Sequence, residues 1–210
     1  MLLNQEFKKT TGIKITTEHT GKMSGLWSLS TPCGLNPNCE RNAKIEGSIC
    51  SKCYAMKQLK RYKNQADCYA INFEVLTSRV LDESELPLLT CLLFRFEAFG
   101  DLVNEIQLIN YFNIAKANPS VNCALWTKNY HIVKAVIESG HAKPKNLNII
   151  ISSLFINQEL DIRGCQYADK VFSVFDKAHA QDINCGSRKC AECRRCYTKN
   201  DEVYIRELLK

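Results

Sequence analysis

The sequence predicts an α/β protein with a mostly parallel sheet or a partial (β/α) barrel, carrying cysteine-rich metal-binding loops at both ends. Three observations lead there. Strand-like and helix-like hydrophobic patterns alternate through the middle of the chain. The 12 cysteines bunch near the two ends. With 210 residues, 45% hydrophobic and 24% charged, the chain has the composition of one folded domain, taken as 1–210.

The elements follow in order. Gly25–Ser30 reads as a weak strand. From Leu59 the apolar positions Leu59, Tyr62, Ala66, Tyr69, Phe73 and Leu76 step by three and four, which marks an amphipathic helix. Pro87 limits the next helical stretch, because proline lacks the backbone donor. Thr90–Asp101 is rich in aromatics and ends in Gly-Asp, so it reads as a buried strand and a turn. Leu102, Ile106, Ile109 and Phe112 give a second helix, stopped before Pro119. Val121–Thr127 is a strand. Asn129 is placed to cap a third helix, which carries Ile132, Val133, Val136 and Ile137 and ends at Gly140. Leu147–Ser152 and Val171–Phe175 are further strands. This alternation implies βαβ units with parallel strands. Four or five strands are visible, too few for a complete eight-stranded barrel.

Two cysteine groups carry the chemistry. The C-terminal group, Cys185, Cys190, Cys193 and Cys196, has the spacing C-x4-C-x2-C-x2-C. Two-residue gaps let tight turns aim successive sulfurs at one centre. In a reducing cytoplasm such a group means metal rather than disulfides. Zinc commonly uses two separated C-x2-C knuckles. Four sulfurs spread along one short wrapping loop suit an iron–sulfur cluster better, with [4Fe–4S] favoured and zinc the alternative. Lys189, Arg194 and Arg195 lie beside these ligands and are placed to offset negative charge.

The N-terminal group, Cys33, Cys39, Cys50 and Cys53, spans residues 33–53 with the spacing C-x5-C-x10-C-x2-C. Asn36-Pro37-Asn38 and Gly47-Ser48 place it on irregular chain. If Cys39, Cys50 and Cys53 act as three ligands, a four-iron cluster keeps one iron open for a substrate or cofactor. Radical S-adenosylmethionine enzymes use C-x3-C-x2-C in that way, and this chain departs from that spacing. One or two clusters are therefore expected.

Other classes are excluded or weakened. No apolar run reaches the roughly 20 residues a membrane span needs. The opening segment, 1–12, lacks the apolar core of a secretory signal. The formal charge of +6 would fall to about +2 with two four-thiolate sites, so nucleic-acid binding is weakly supported. There is no G-x-G-x-x-G, P-loop or G-x-S-x-G motif, and His19, His131, His141 and His179 lack ligand spacing.

In parallel α/β folds, sites gather at the C-terminal ends of strands. That puts Asp101, Thr127, Lys128, Ser152, Ser153 and Asp176 on one rim. Arg95 and Glu97 are two apart and share a strand face if the strand continues. Arg95, Glu97, Asp101, Lys128 and Ser152 are therefore the pocket candidates, with Asp101 also placed to cap the helix at Leu102.

The motifs Cys50-Ser-Lys-Cys-Tyr-Ala55, Phe94-Arg-Phe-Glu-Ala-Phe-Gly-Asp101 and Trp126-Thr-Lys128, with the closing cysteine run, resemble the phage and prophage gene product 88-like proteins over roughly residues 25–200. That family's pattern has His and Ser where this chain has Glu97 and Phe99. The resemblance implies a phage-encoded metalloprotein of the host cytoplasm and brings no reaction with it. Enzyme and non-catalytic binding module, the latter with metals only stapling loops, both stay open.

Overall fold

The computed structural model describes residues 12–163, 165–186 and 188–209. The opening segment read above lies outside these, apart from Gly12.

The fold is α/β. Six strands form one sheet: β1 (Trp27–Leu29), β2 (Leu93–Phe96), β3 (Asn122–Thr127), β4 (Leu147–Ser152), β5 (Lys170–Phe175) and β6 (Tyr204–Leu208). They lie in chain order, and every neighbouring pair is parallel. Helices α1 (Pro37–Ala43), α2 (Tyr54–Arg61) and α3 (Lys63–Ser78) join β1 to β2. Helix α4 (Glu105–Ala117) joins β2 to β3, and α5 (Tyr130–Glu138) joins β3 to β4. Among the described residues no helix lies between β4 and β5, and the segment holding α6 (Cys190–Cys193) joins β5 to β6.

Alternation along the strands sends side chains to two cores. On the helix side, Leu29, Phe94, Phe96, Cys123, Leu125, Ile149 and Ile151 meet Leu76 of α3, Tyr111 and Phe112 of α4, and Val133 of α5. On the other side, Leu26, Leu93, Ala124, Ile150 and Ile205 meet Tyr197 and the partly buried Cys185, Cys190 and Cys196. The C-terminal cysteine run therefore serves as packing material for the face the helices leave uncovered.

Lys22 sits in the 3₁₀ turn (Gly21–Met23) that leads into β1, yet its Nζ lies 2.8 Å from Glu207 Oε1 on β6. The segment before β1 thus meets the strand at the opposite edge of the sheet, although β1 and β6 are not paired with each other.

Several local expectations change. The helix read from Leu59 is two helices, broken at Tyr62, whose φ −112° and ψ 84° leave the helical region. Strand β6 is a sixth strand that Arg206 and Glu207 disguise in the sequence. Asp101 does not cap a helix: α4 starts three residues beyond Leu102, with Asn104 Oδ1 accepting from the Gln107 N–H at 3.0 Å. Asn129 precedes α5, but its side chain makes no capping bond and donates to Leu102 O at 2.6 Å instead. Gly140 follows α5 with φ +96°, a left-handed conformation that favours glycine.

Candidate metal centres

The N-terminal cysteines lie on the chain that leaves β1 and arches over the C-terminal ends of the strands. Cys33 opens a 3₁₀ turn (Cys33–Leu35), and Cys39 lies in α1. Asn36 caps α1, accepting from Asn38 N at 2.9 Å, while its Nδ2 donates to Asp101 O at 2.8 Å. That ties the Cys39 helix to the rim beyond β2. Cys50 lies in a second 3₁₀ turn (Ile49–Lys52), capped by Ser48 Oγ, which accepts from Ser51 N at 3.0 Å. Ile49 N donates to Leu154 O at 2.9 Å, so the arch reaches the segment just past β4. Cys53 stands at the start of α2.

The four thiols feel one another. Cys33, 2% exposed, hydrogen-bonds to Cys53, which raises the Cys33 thiol and lowers its partner. Cys53 is held down to about 6, first by that bond and further by the Ala55 and Met56 N–H groups and Lys128, against the effect of burial. Burial pushes Cys39 up, and the carboxylates of Asp101 and Glu97 add to this. Burial also raises Cys50, with Lys128 opposing.

Beneath this arch lies a floor of buried acids. Glu97 is 2% exposed and adopts φ +56°. The left-handed turn breaks the strand alternation, so Glu97 does not share a face with Arg95. Its carboxylate instead accepts from Thr31 N (3.2 Å), Thr31 Oγ1 (3.0 Å), Gln107 Nε2 (2.6 Å) and Tyr111 OH (2.5 Å). Burial raises it to about 8 despite these donors. Gly100 presses on the same group: a Cβ there would lie 2.3 Å from Thr31 O and 2.4 Å from Glu97 Oε2. Asp101 accepts from Thr127 Oγ1 (2.5 Å), Leu102 N (2.7 Å) and Lys128 N (3.0 Å), and burial raises it too. Ser152 ends β4, buried, and the neighbouring Ser153 Oγ meets Ser173 Oγ at 2.9 Å. Cys33, Cys39, Cys50, Cys53, Asp101 and Lys128 are thus brought together, whereas Arg95 belongs to the opposite face.

The C-terminal cysteines surround a cavity of about 50 Å³, lined by Cys185, Cys190, Cys193 and Cys196 together with Lys22, Arg194, Arg195 and Tyr197. Cys185 N donates to Arg206 O at 3.0 Å along β6, and Asn148 Nδ2 of β4 donates to Cys196 O at 3.0 Å. Helix α6 ends at Arg194, whose φ of +54° turns the chain toward Cys196. Burial raises Cys196 to about 12. It also raises Cys190, with Lys22 and Arg95 opposing. Of the three cations expected to offset the site, Arg195 pairs through Nε with Glu202 at 2.5 Å, while Arg194 Nε donates to the backbone Ala191 O at 3.0 Å.

All twelve cysteines are free thiols. Two groups of four sulfur donors suit a thiophilic metal or an iron–sulfur cluster. Among the described residues, no three His, Cys, Asp or Glu side chains converge closely enough to hold a single metal ion. The remaining cysteines are scattered: Cys123 is in the helix-side core, and Cys165 Sγ lies 3.7 Å from Tyr130 OH. Sequence reasoning missed Thr31, Gln107 and Tyr111. Gln107 and Tyr111 are four apart and so share one face of α4, the signal in the sequence that a polar group faces them.

No helix among the described residues is long and apolar enough to cross a membrane. No curated protein and no solved structure matches the chain. The family model for gene product 88 matches residues 1–205, and with it the motifs quoted above find their place: the chain belongs to the gene product 88 family.

Proposed function

We propose that the protein is an iron–sulfur protein, with Cys33, Cys39, Cys50 and Cys53 holding one cluster and Cys185, Cys190, Cys193 and Cys196 a second, [4Fe–4S] in each case. The observation that carries this reading is the donor set: eight free thiols in two groups of four, one along an arch and one around a cavity. Sulfur-only donors select Fe–S clusters or zinc. Short gaps along a wrapping loop favour the cluster. Reduced thiols in this number fit the cytoplasm, that of the host for a phage-encoded chain.

A second reading adds chemistry at the first site. The arch lies over the C-terminal ends of the strands, where parallel α/β enzymes bind substrates, with Asp101 and Lys128 beside it. If Cys39, Cys50 and Cys53 suffice as ligands, a bound cluster would offer an open iron to a ligand such as S-adenosylmethionine. Asp101 and Lys128 would then orient that ligand's charged groups.

Anaerobic purification with iron, sulfide and zinc analysis tests the first reading. Brown protein absorbing near about 400 nm is expected, and colourless protein with stoichiometric zinc overturns the iron assignment. For the second reading, Cys33→Ala is compared with the parent by electron paramagnetic resonance, with and without S-adenosylmethionine. An intact signal in the variant and a cofactor-induced shift in the parent support an open cluster. A damaged cluster in Cys33→Ala and no shift in the parent restrict the site to a closed four-cysteine one.

A further inference from the structure

The C-terminal cysteine site has a cation supply that its own sequence neighbourhood does not reveal. Lys22 and Arg95 lie 163 and 90 or more residues away in the chain. Lys22 Nζ donates to Cys185 Sγ at 3.0 Å and also pairs with Glu207 at 2.8 Å. Arg95 leaves β2 on the face that carries the cysteines. Its guanidinium lies 4.1 Å from the Trp126 ring centroid, and Nη1 lies 3.7 Å from Met23 Sδ. Its Nε is buried and has no hydrogen-bond partner. None of these Arg95 contacts is a carboxylate, and the half-buried side chain leaves its buried Nε without a partner. Its charge reaches the thiols of Cys190 and Cys196 and favours their ionisation against burial, and Tyr197, His19 and Tyr54 also lie within its electrostatic reach.

We propose that Lys22 and Arg95 are positioning residues for an anionic thiolate–metal centre at Cys185, Cys190, Cys193 and Cys196, holding its negative charge against the sheet. The inference rests on the reading of this run as a metal site. A centre bound by four thiolates carries net negative charge, and Arg95, half-buried with no carboxylate among its contacts, supplies positive charge to balance it. Lys22 adds positive charge at the seam, shared between Cys185 and Glu207. Arg194 and Arg195 also line the cavity, Arg195 with its charge paired to Glu202. Cations close to a cluster favour the more negative, reduced state and raise its potential, and outer groups that orient ligands strengthen binding.

The test uses the full chain in a Cys53→Ala background, so that only the C-terminal centre is read. Arg95→Gln, Lys22→Gln, Arg95→Lys and Lys134→Gln are compared for metal per chain, for the rate of metal release to a strong chelator and for midpoint potential. Arg95→Gln and Lys22→Gln should each release metal on the order of 10-fold faster and shift the potential downward. Arg95→Lys, which keeps the charge, should restore the potential, and Lys134→Gln, exposed on α5 away from the cavity, should leave both readings unmoved. If Arg95→Gln fails to fold by circular dichroism, Lys22→Gln carries the same comparison. For a zinc-loaded centre the release rate alone decides. Metal retained at the parent rate and potential in both neutral variants overturns the inference and leaves the metal site standing. A Cys53→Ala parent that binds no metal overturns the site and the inference together.

Discussion

The two cysteine groups use the same four donors in opposite electrical surroundings. The N-terminal group lies over Asp101 and Glu97, two buried acids that add to burial in pushing Cys39 up. The C-terminal group lies against Lys22 and Arg95, whose charge pulls Cys190 down against burial. A shared ligand type therefore does not imply a shared role. On the proposed reading, a cluster over acids would resist taking on electrons, while one among cations would accept them more readily. Their places differ in the same sense. The first occupies the strand-end rim, where ligands bind in parallel folds; the second is packed into a core with Leu26, Ile150 and Tyr197.

The sharpest way to break the comparison is to delete one centre at a time. Cys193→Ala should remove the C-terminal metal, halve metal per chain and loosen residues 185–197, which hydrogen exchange would show. Cys53→Ala should remove the other half and leave the C-terminal segment protected. Loss of all metal in either variant would show that the groups form one site.

A smaller effect sharpens the acid side. Glu97 is raised to about 8 in the fold from an ordinary 4.5, so the native state holds a proton that the unfolded chain releases between these values. Its contribution is fully present below about pH 4.5 and is lost as pH rises toward about 8, on the order of a few kcal/mol. Glu97→Gln, neutral throughout, should flatten that part of the urea-midpoint profile. An unchanged slope would show that the four donors around Glu97 keep it ionised.

The smallest effect belongs to a cysteine outside both groups. Cys123 is fully buried in the helix-side core. Cys123→Ala should keep full metal content and cost on the order of 1 kcal/mol in packing. Metal loss in this variant would mean that the groups of four are wrongly drawn.

Legibility in the sequence followed local signal. Strand β4 is readable to the residue because Leu147–Ser152 is apolar and buried on both faces. The cysteine groups are readable because their spacing is local. Strand β6 was hidden because Arg206 and Glu207 sit at an edge, where charged side chains are tolerated. The departure of Glu97 from the Arg95 face was hidden because one left-handed residue reverses the alternation, and nothing in Phe-Glu-Ala announces it. The role of Lys22 was hidden for a different reason: its partner Cys185 is 163 positions away, and only the folded sheet joins them.

That contact has a kinetic consequence. Closing a loop of this length carries a large entropy cost, and no shorter loop can substitute for it, because β1 and β6 are the outermost strands of a sheet laid down in chain order. The N-terminal arch spans few residues and depends on β1 to β4, so it can be assembled while the rest of the chain is still emerging from the ribosome. The Lys22–Cys185 seam can form only after β6 has docked. Until then the uncovered apolar face and the edge of β5 are open to other chains, and this late interval is where the protein is most prone to aggregate.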